Sequence, residues 1–136
     1  MKKLLIDTNI VIDLLAKREP HYENSAQLFS LADKKQIKLS VSALTFANTN
    51  YILLKSKNSS EAKSILRKFK LIVDVIPLDD KVINLALNDN DFEDFEDGLQ
   101  YFSAIEHKQD YIITRNLKDF KKSKISVMTA EQFLKI

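Results

Sequence analysis

Short apolar runs alternate along this chain with longer segments in which apolar residues recur at helical spacing. The runs that read as buried strands are residues 3–6, 37–42, 71–77, 111–114 and 124–128. Alternation of strands with helices favours a parallel sheet, because each parallel connection has to cross back over the sheet and usually does so as a helix. We therefore predict an α/β three-layer sandwich around a mostly parallel central sheet of about five strands.

Helices are predicted for the segments between these runs. In chain order they are 9–16, 21–35, 43–56, the segment capped by Ser59 or Ser60, 81–88, the segment from Phe92 to Phe102, and a last helix capped by Thr129. Thr8 or Asn9 is the expected N-cap of the first helix. The stripe of helix 43–56 expected to face the core consists of Leu44, Ala47, Tyr51 and Leu54.

Composition excludes several classes of protein. The 136 residues, 45% of them hydrophobic, suit one domain over residues 1–136. No apolar run approaches the ~20 residues of a membrane span, and the start of the chain is too short in apolar residues for a signal peptide, so a cytoplasmic protein is expected. Gly98 is the only glycine, which excludes the Walker loop and the GxGxxG dinucleotide loop.

The available side chains point to a metal bound by oxygen, if any metal is bound. The chain has no cysteine, and its two histidines, His21 and His107, lie in separate segments. A thiolate or paired-histidine zinc site is therefore not expected, and Mg²⁺ or Mn²⁺ is favoured. The net charge is only +2, but residues 89–97 carry six acids and no base, whereas residues 115–124 carry five bases and one acid.

Three acids are placed by the predicted topology near one edge of the sheet. Asp7 follows the first strand, Asp119 follows the strand 111–114, and Asp97 lies near the start of the helix that leads into that strand. Clustered carboxylates repel each other, so they generally persist because a divalent cation neutralises them or because some are protonated. Bases that could receive a phosphate backbone follow the same strand: Arg115, Lys118, Lys121 and Lys122. The pattern predicts metal-assisted phosphodiester hydrolysis.

Each of these features also has a structural interpretation. An acid in the position of Asp7 is more often a helix cap. An acidic run is more often a solvated loop or a helix start, where acids complement the helix dipole. The basic segment is more often plain surface, and the phenylalanines inside the acidic run are expected in the core.

Taken in order, the segments resemble the PIN-domain family of metal-dependent nucleases, whose best-known members are VapC-type toxins of bacterial toxin–antitoxin pairs. "LLIDTNIVIDLL" is similar to the family's opening strand, first acid and helix, and "SALTFANTNYIL" to its second segment. "FEDGLQYFSAIEHKQDYIITRNLKDF" is similar to the third and fourth segments and is the most specific stretch. The resemblance implies an endoribonuclease that uses Mg²⁺ or Mn²⁺, with RNA as substrate, a small antitoxin as partner and a possible homodimer.

Site residues follow from the resemblance residue by residue. The expected metal ligands are Asp7, Asp97 and Asp119, with Asp94 as a further acid one helical turn before Asp97. Asn116 lies in the fourth segment beside Asp119 and is expected to help hold metal or water, so the expected catalytic set is Asp7, Asp97, Asp119 and Asn116. The expected substrate contacts are Thr8, Asn48, Thr114, Arg115 and Lys118.

The second segment departs from the family pattern at one position. Asn48 stands where the family usually has Glu. Its amide oxygen can accept a metal but carries no charge, so weaker metal binding is expected. Local hydrogen bonding within the helix is the structural interpretation of this residue. The substitution supports a second hypothesis, a catalytically degenerate PIN module that binds nucleic acid or a protein without cleavage.

Two other enzyme classes fit less well. Phosphatases of the haloacid-dehalogenase type need a second Asp two residues after the first, and this chain has Asn9 there. A phosphoacceptor receiver domain needs an early pair of acids and a phosphorylatable Asp at the end of a middle strand. "IDTN" supplies one acid, and Asp74 falls inside its predicted strand.

Overall fold

The computed structural model describes residues 1–136 and contains one five-stranded sheet. The strands are β1 (Lys3–Ile6), β2 (Lys38–Ser42), β3 (Asp74–Ile76), β4 (Tyr111–Ile113) and β5 (Ser126–Met128). Their order across the sheet is β3-β2-β1-β4-β5, and every neighbouring pair is parallel. The first strand is thus central, and the predicted α/β fold with a parallel five-stranded sheet is confirmed.

Seven α-helices and two 3₁₀ helices connect the strands. The α-helices are α1 (Thr8–Leu15), α2 (Tyr22–Asp33), α3 (Ala43–Leu53), α4 (Ser59–Phe69), α5 (Asp80–Leu87), α6 (Phe95–Glu106) and α7 (Ala130–Leu134). The 3₁₀ helices span Lys70–Ile72 and Leu117–Phe120. None of the helices combines the length and apolar character needed to cross a membrane.

Apolar side chains cover both faces of the sheet. Leu4 and Ile6 of β1 belong to a large core that also contains residues of α1, α2, α4 and α7. Leu5 points to the opposite face, into a second core that contains Tyr101 and Ala104 of α6. This alternation follows from the two-residue period of a strand. Burial on both faces explains why "LLI" is continuously apolar.

Several element boundaries differ from the prediction, and one of them is the N-cap of α4, which is Asn58 and not Ser59 or Ser60. The N-cap of α1 is Asp7 itself, since its side chain accepts the Thr8 N–H, so the predicted caps Thr8 and Asn9 are wrong. Most of the apolar run 71–77 is not strand, because its first part completes a 3₁₀ turn. Helix α6 begins at Phe95, and Phe92 packs instead on the Tyr101 ring with 4.5 Å between ring centroids.

The predicted core stripe of α3 is wrong for most of its members. Tyr51 and Leu54 are 67% and 44% exposed, and Ala47 is also exposed. The buried positions in the middle of the helix are Thr45 and Thr49. Thr45 faces the Thr8 hydroxyl and a buried amide of α6, so this side of α3 meets polar groups rather than an apolar core. Apolar periodicity could not reveal a polar contact face.

Candidate active site

Asp7 lies where the central strand passes into the first helix. Its backbone N–H donates to the Ile113 carbonyl at 2.9 Å, which extends the pairing of β1 with β4. One carboxylate oxygen accepts the Thr8 N–H at 2.8 Å, and the other accepts the Thr114 hydroxyl at 2.7 Å. The residue is only 8% exposed. Asp7 is therefore a helix cap, and it is also a buried acid at the carboxyl edge of the sheet.

Asp97 and Asp94 occupy the start of α6. Asp94 is the N-cap, and its Oδ1 accepts the Asp97 N–H at 3.1 Å. Asp97 is half-buried in the first turn, whereas Asp94 is exposed. One oxygen of Asp94 is thus engaged in holding the helix end on which Asp97 sits.

The segment after β4 brings Asn116 and Asp119 to the same edge. The Thr114 hydroxyl accepts the Asn116 N–H at 3.1 Å while it donates to Asp7, which fixes the start of the loop. The Asp119 N–H then donates to the Asn116 carbonyl at 3.0 Å and closes the 3₁₀ turn. Both side chains are exposed to solvent.

Burial and neighbouring acids raise the pKa values of Asp97 and Asp7. The pKa of Asp97 rises from 3.8 to about 7, first because the carboxyl is desolvated and then because Asp94, Asp7, Asp119 and Glu96 repel its negative form. Burial also raises the pKa of Asp7, with a further contribution from Asp119, against the hydrogen bonds from Thr114 and Thr8. Residues far apart in the sequence therefore form one electrostatically coupled group.

Lysines and several of the acids line one cleft of about 560 Å³. The charged residues that line it include Asp94, Asp97, Asp119, Lys118, Lys121 and Lys122. Residues of the acidic run 89–97 and of the basic segment 115–124 thus line the same cleft. This arrangement can bring a phosphate backbone close to the acids while lysine charges attract it.

Arg115 is placed away from that role. Its Nε and Nη2 donate to the two carboxylate oxygens of Asp13 at 2.7 and 3.2 Å. Asp13 is fully buried, and the arginine side chain is 31% exposed. The guanidinium neutralises a buried carboxylate, so the residue predicted to contact substrate serves first as half of an internal ion pair.

The remaining predicted contacts surround Asp7 and α3. The Thr8 hydroxyl lies 3.0 Å from that of Thr45, and Asn48 is half-buried one turn further along α3. Sequence reasoning missed Gln100, whose amide Nε2 lies 3.5 Å from Asp7 Oδ1 and 3.3 Å from Thr8 Oγ1. The sequence feature that could have revealed Gln100 is a polar residue one helical turn after Asp97, between two apolar neighbours.

The donor set fits a hydrated divalent cation better than an enclosed metal. No three acid or histidine side chains converge tightly enough to hold a metal ion by themselves. Mg²⁺, however, commonly keeps several waters and uses only one or two carboxylates. Asp7, Asp97 and Asp119 offer such oxygens, the last two beside an open cleft, and desolvation together with repulsion from neighbouring acids raises the pKa of Asp97. Oxygen ligands favour Mg²⁺ or Mn²⁺ over softer metals.

The fold is an α/β sandwich, and carboxylates without ion-pair partners lie near lysines at the carboxyl edge of its sheet. Proteins with such a site are suited to holding a cation and a phosphodiester together. Residues 3–118 match the PIN domain. The chain belongs to the PIN-domain family, which confirms the resemblance seen in its motifs. VapC ribonucleases of this family generally depend on a divalent metal.

Relatives and solved structures agree with this assignment. The chain is 30% identical to "Ribonuclease VapC1" of Aquifex aeolicus (strain VF5), over 97% of this chain and 93% of that protein. A "Toxin-antitoxin complex from Klebsiella pneumoniae" aligns with a TM-score of 0.72 at 21% identity, covering 93% of this chain and 97% of that one. VapBC2 from Rickettsia felis, bound to a promoter DNA fragment, aligns at 0.66 with 22% identity, covering 93% and 96%. Both structures share the fold described above.

Proposed function

We propose that this protein is an endoribonuclease that requires Mg²⁺ or Mn²⁺ and is the toxin of a toxin–antitoxin pair. The observation that carries the proposal is the group of Asp7, Asp97 and Asp119, which forms no ion pair and of which Asp97 and Asp119 line a cleft together with lysines. The curated relative named as a ribonuclease supports the same activity. Residues 1–136 would act as one domain in the cytoplasm.

The roles of the side chains follow from their positions. Lys118, Lys121 and Lys122 bind backbone phosphates of the RNA and draw it along the cleft. Asp7 and Asp97 hold the cation, with Asp119 and Asn116 completing the site from the segment after β4. A cation held there supplies positive charge and Lewis acidity at the scissile phosphate. Because the pKa of Asp97 is about 7, its carboxyl is partly protonated at neutral pH and has to release that proton when a cation binds.

An apolar groove offers a surface for the proposed antitoxin. It measures about 610 Å³, lies between α1, α3 and α4, and has Leu15, Ile52 and Ile65 among its apolar residues. Lys17, Lys57 and Lys68 also line it, and no acid does. A partner segment with an apolar face and flanking acids would match both features. The complexes among the structural neighbours make an antitoxin the partner to test first.

Cleavage of a structured RNA in the presence of Mn²⁺ or Mg²⁺ tests the proposal. Asp7→Asn and Asp97→Asn should each lower the cleavage rate by more than the ~10–100-fold typical of residues that only support a metal ligand. Asp33→Asn, which changes an exposed acid at the end of α2, is the matched control and should cleave like the wild type. Cleavage that survives both site variants would come from a contaminant and would contradict the proposal.

Asn48→Glu separates the nuclease from the degenerate module. A wild type that binds Mn²⁺ and cleaves shows that Asn48 suffices. A wild type that binds Mn²⁺ poorly and does not cleave, with both properties gained by Asn48→Glu, would identify a binding module that retains an intact scaffold. The second function, binding without cleavage, is considered because a neutral Asn48 stands half-buried on α3, one turn from Thr45.

A further inference from the structure

Buried polar side chains occur on both α3 and α6, and Gln100 of α6 contacts Thr45 of α3. Thr45 and Thr49 come from α3, and Gln100 and Ser103 come from α6. All four are buried, and Gln100 is the most exposed of them at 4%. Polar groups removed from water destabilise a fold unless they are hydrogen-bonded, so the burial of these four side chains has to be explained.

The amide of Gln100 joins these side chains to Asp7. Its Nε2 lies 3.5 Å from Asp7 Oδ1, 3.3 Å from Thr8 Oγ1 and 3.4 Å from Thr45 Oγ1. An ionised carboxylate can only accept hydrogen bonds, so the amino side of the amide, rather than its oxygen, has to face Asp7. The contacts are long and individually weak, and the two amide hydrogens are shared among Asp7 Oδ1 and the two hydroxyl oxygens.

The other end of the same amide has no protein partner. Gln100 Oε1 is buried and accepts no hydrogen bond, and neither Thr49 Oγ1 nor Ser103 Oγ has a partner. An unpaired buried acceptor lowers stability, and an apolar side chain of similar size would avoid that penalty. Gln100 therefore sits at a position where the fold alone would favour methionine or leucine. Groups that are unfavourable for folding and that face a functional carboxylate are expected where activity requires them.

We propose that Gln100 is a positioning residue that holds the Asp7 carboxylate in the orientation needed for the cation. It acts through Asp7 and does not touch RNA. Thr114, the residue after β4, donates to Oδ2, and Gln100 of α6 adds a second neutral donor to the Thr8 N–H on Oδ1, so both oxygens of an acid without an ion-pair partner are held. The inference rests on the proposed metal-dependent function and adds to it the residue that sets Asp7.

Gln100→Met tests the inference, because methionine keeps the length of the side chain but has no amide. Outer-shell partners of metal ligands typically contribute ~10–100-fold to metal affinity or activity, so we expect Mn²⁺ binding to weaken about tenfold, with a similar fall in RNA cleavage. The Tm of the metal-free protein should stay close to that of the wild type, because removal of the unpaired Oε1 offsets the loss of the long donor contacts of Nε2. Mn²⁺ binding is measured by the electron paramagnetic resonance of free Mn²⁺.

Gln109→Met is the matched control. Gln109 is also buried and also has an unpaired Oε1, but its Nε2 donates to the His107 carbonyl outside the acid group. This variant should bind Mn²⁺ and cleave RNA like the wild type. Gln100→Leu serves as a second variant if Gln100→Met does not fold.

The outcomes separate the inference from the proposed function. A wild type that binds Mn²⁺ and cleaves, together with a folded Gln100 variant that does both equally well, overturns the positioning role alone. Loss of function in step with a lowered Tm in both Gln100 variants also overturns it, because the residue would then be structural. A wild type that neither binds Mn²⁺ nor cleaves overturns the proposed function and the inference with it.

Discussion

Asp7, the N-cap of α1, and Asp13, near the end of the same helix, are two buried carboxylates with different neighbours. Both oxygens of Asp13 receive the Arg115 guanidinium, at 2.7 and 3.2 Å. Asp7 receives only neutral donors, chiefly the Thr114 hydroxyl and the Thr8 N–H, and faces other acids. The charge of Asp13 is cancelled inside the protein, whereas that of Asp7 is left for something that binds. The carboxylate without an ion-pair partner, Asp7, therefore belongs to the candidate active site.

The largest expected effect comes from removing the Arg115 side chain, which carries the positive charge that pairs with Asp13. Arg115→Leu leaves a fully buried carboxylate without its partner, which should lower the free energy of unfolding by about 3–5 kcal/mol. Urea unfolding measures the change. Lys135→Leu, which removes an exposed ion pair with Glu131, is the control and should change stability by less than about 1 kcal/mol. A loss below about 1 kcal/mol for Arg115→Leu would show that the two acids do not differ as described.

The next effect comes from a neutral donor on the Asp7 side. Thr114→Val removes the 2.7 Å hydrogen bond to Asp7 and the acceptor for the Asn116 N–H. Hydrogen bonds to charged groups contribute about 1.5–3 kcal/mol, so a loss in that range is expected by urea unfolding, together with weaker Mn²⁺ binding. Unchanged stability and Mn²⁺ binding would mean that Thr114 does not support Asp7.

Asp97→Asn should change stability in the opposite direction. Because the folded pKa is about 7 and the ordinary value is 3.8, the folded chain binds a proton between these pH values that the unfolded chain does not. Wild-type stability from this group is therefore highest below pH 4 and falls as the pH rises through 7. At pH 8 without metal, Asp97→Asn should be more stable by about 1–2 kcal/mol, after allowing for solvent screening of a half-exposed group.

Thermal unfolding from pH 4 to pH 8 checks this sign. The difference between Asp97→Asn and the wild type should shrink towards zero at pH 4, and Mn²⁺ should raise the Tm of the wild type but not of the variant. Asp33→Asn controls for net charge. A destabilised Asp97→Asn at pH 8 would show that this carboxylate is not repelled by its neighbours.

The smallest effect concerns the lysines that line the cleft with Asp97 and Asp119. Lys118→Ala removes one exposed charge from the cleft wall. For a single-stranded RNA, the slope of log binding constant against log salt should fall by about 0.7, the contribution of one phosphate contact. Fluorescence anisotropy over a salt series measures this slope. Lys35→Ala, an exposed lysine after α2, should leave it unchanged.

Local patterns predicted most of the fold. Continuous apolar runs identified β1 and β4 because strands buried on both faces need no alternation. The same reasoning failed on α3, where the buried side chains are Thr45 and Thr49. A helix that packs against polar partners carries no apolar stripe on its buried face, and its partners lie far away in the sequence.

The acids of the candidate site were predictable, but their surroundings were not. Asp7 was named because it follows a predicted strand, and Asp97 and Asp119 because their segments resemble the third and fourth segments of the family. The partner of Arg115 could not, because Asp13 looks like one more polar residue on α1 until the packing of α1 beside the end of β4 is known. Gln100 was missed for the same reason.

The sequence by itself determined the order of strands and helices, the absence of thiol ligands and the positions of the acids, because these depend on neighbouring residues and side-chain chemistry. Only the tertiary structure decided which charges are cancelled. Whether a carboxylate is paired or left uncompensated depends on distances of a few ångströms between residues about a hundred positions apart, as with Arg115 and Asp13 or Thr114 and Asp7. Electrostatic energy inside a protein changes steeply over such distances, and the chain order does not encode them.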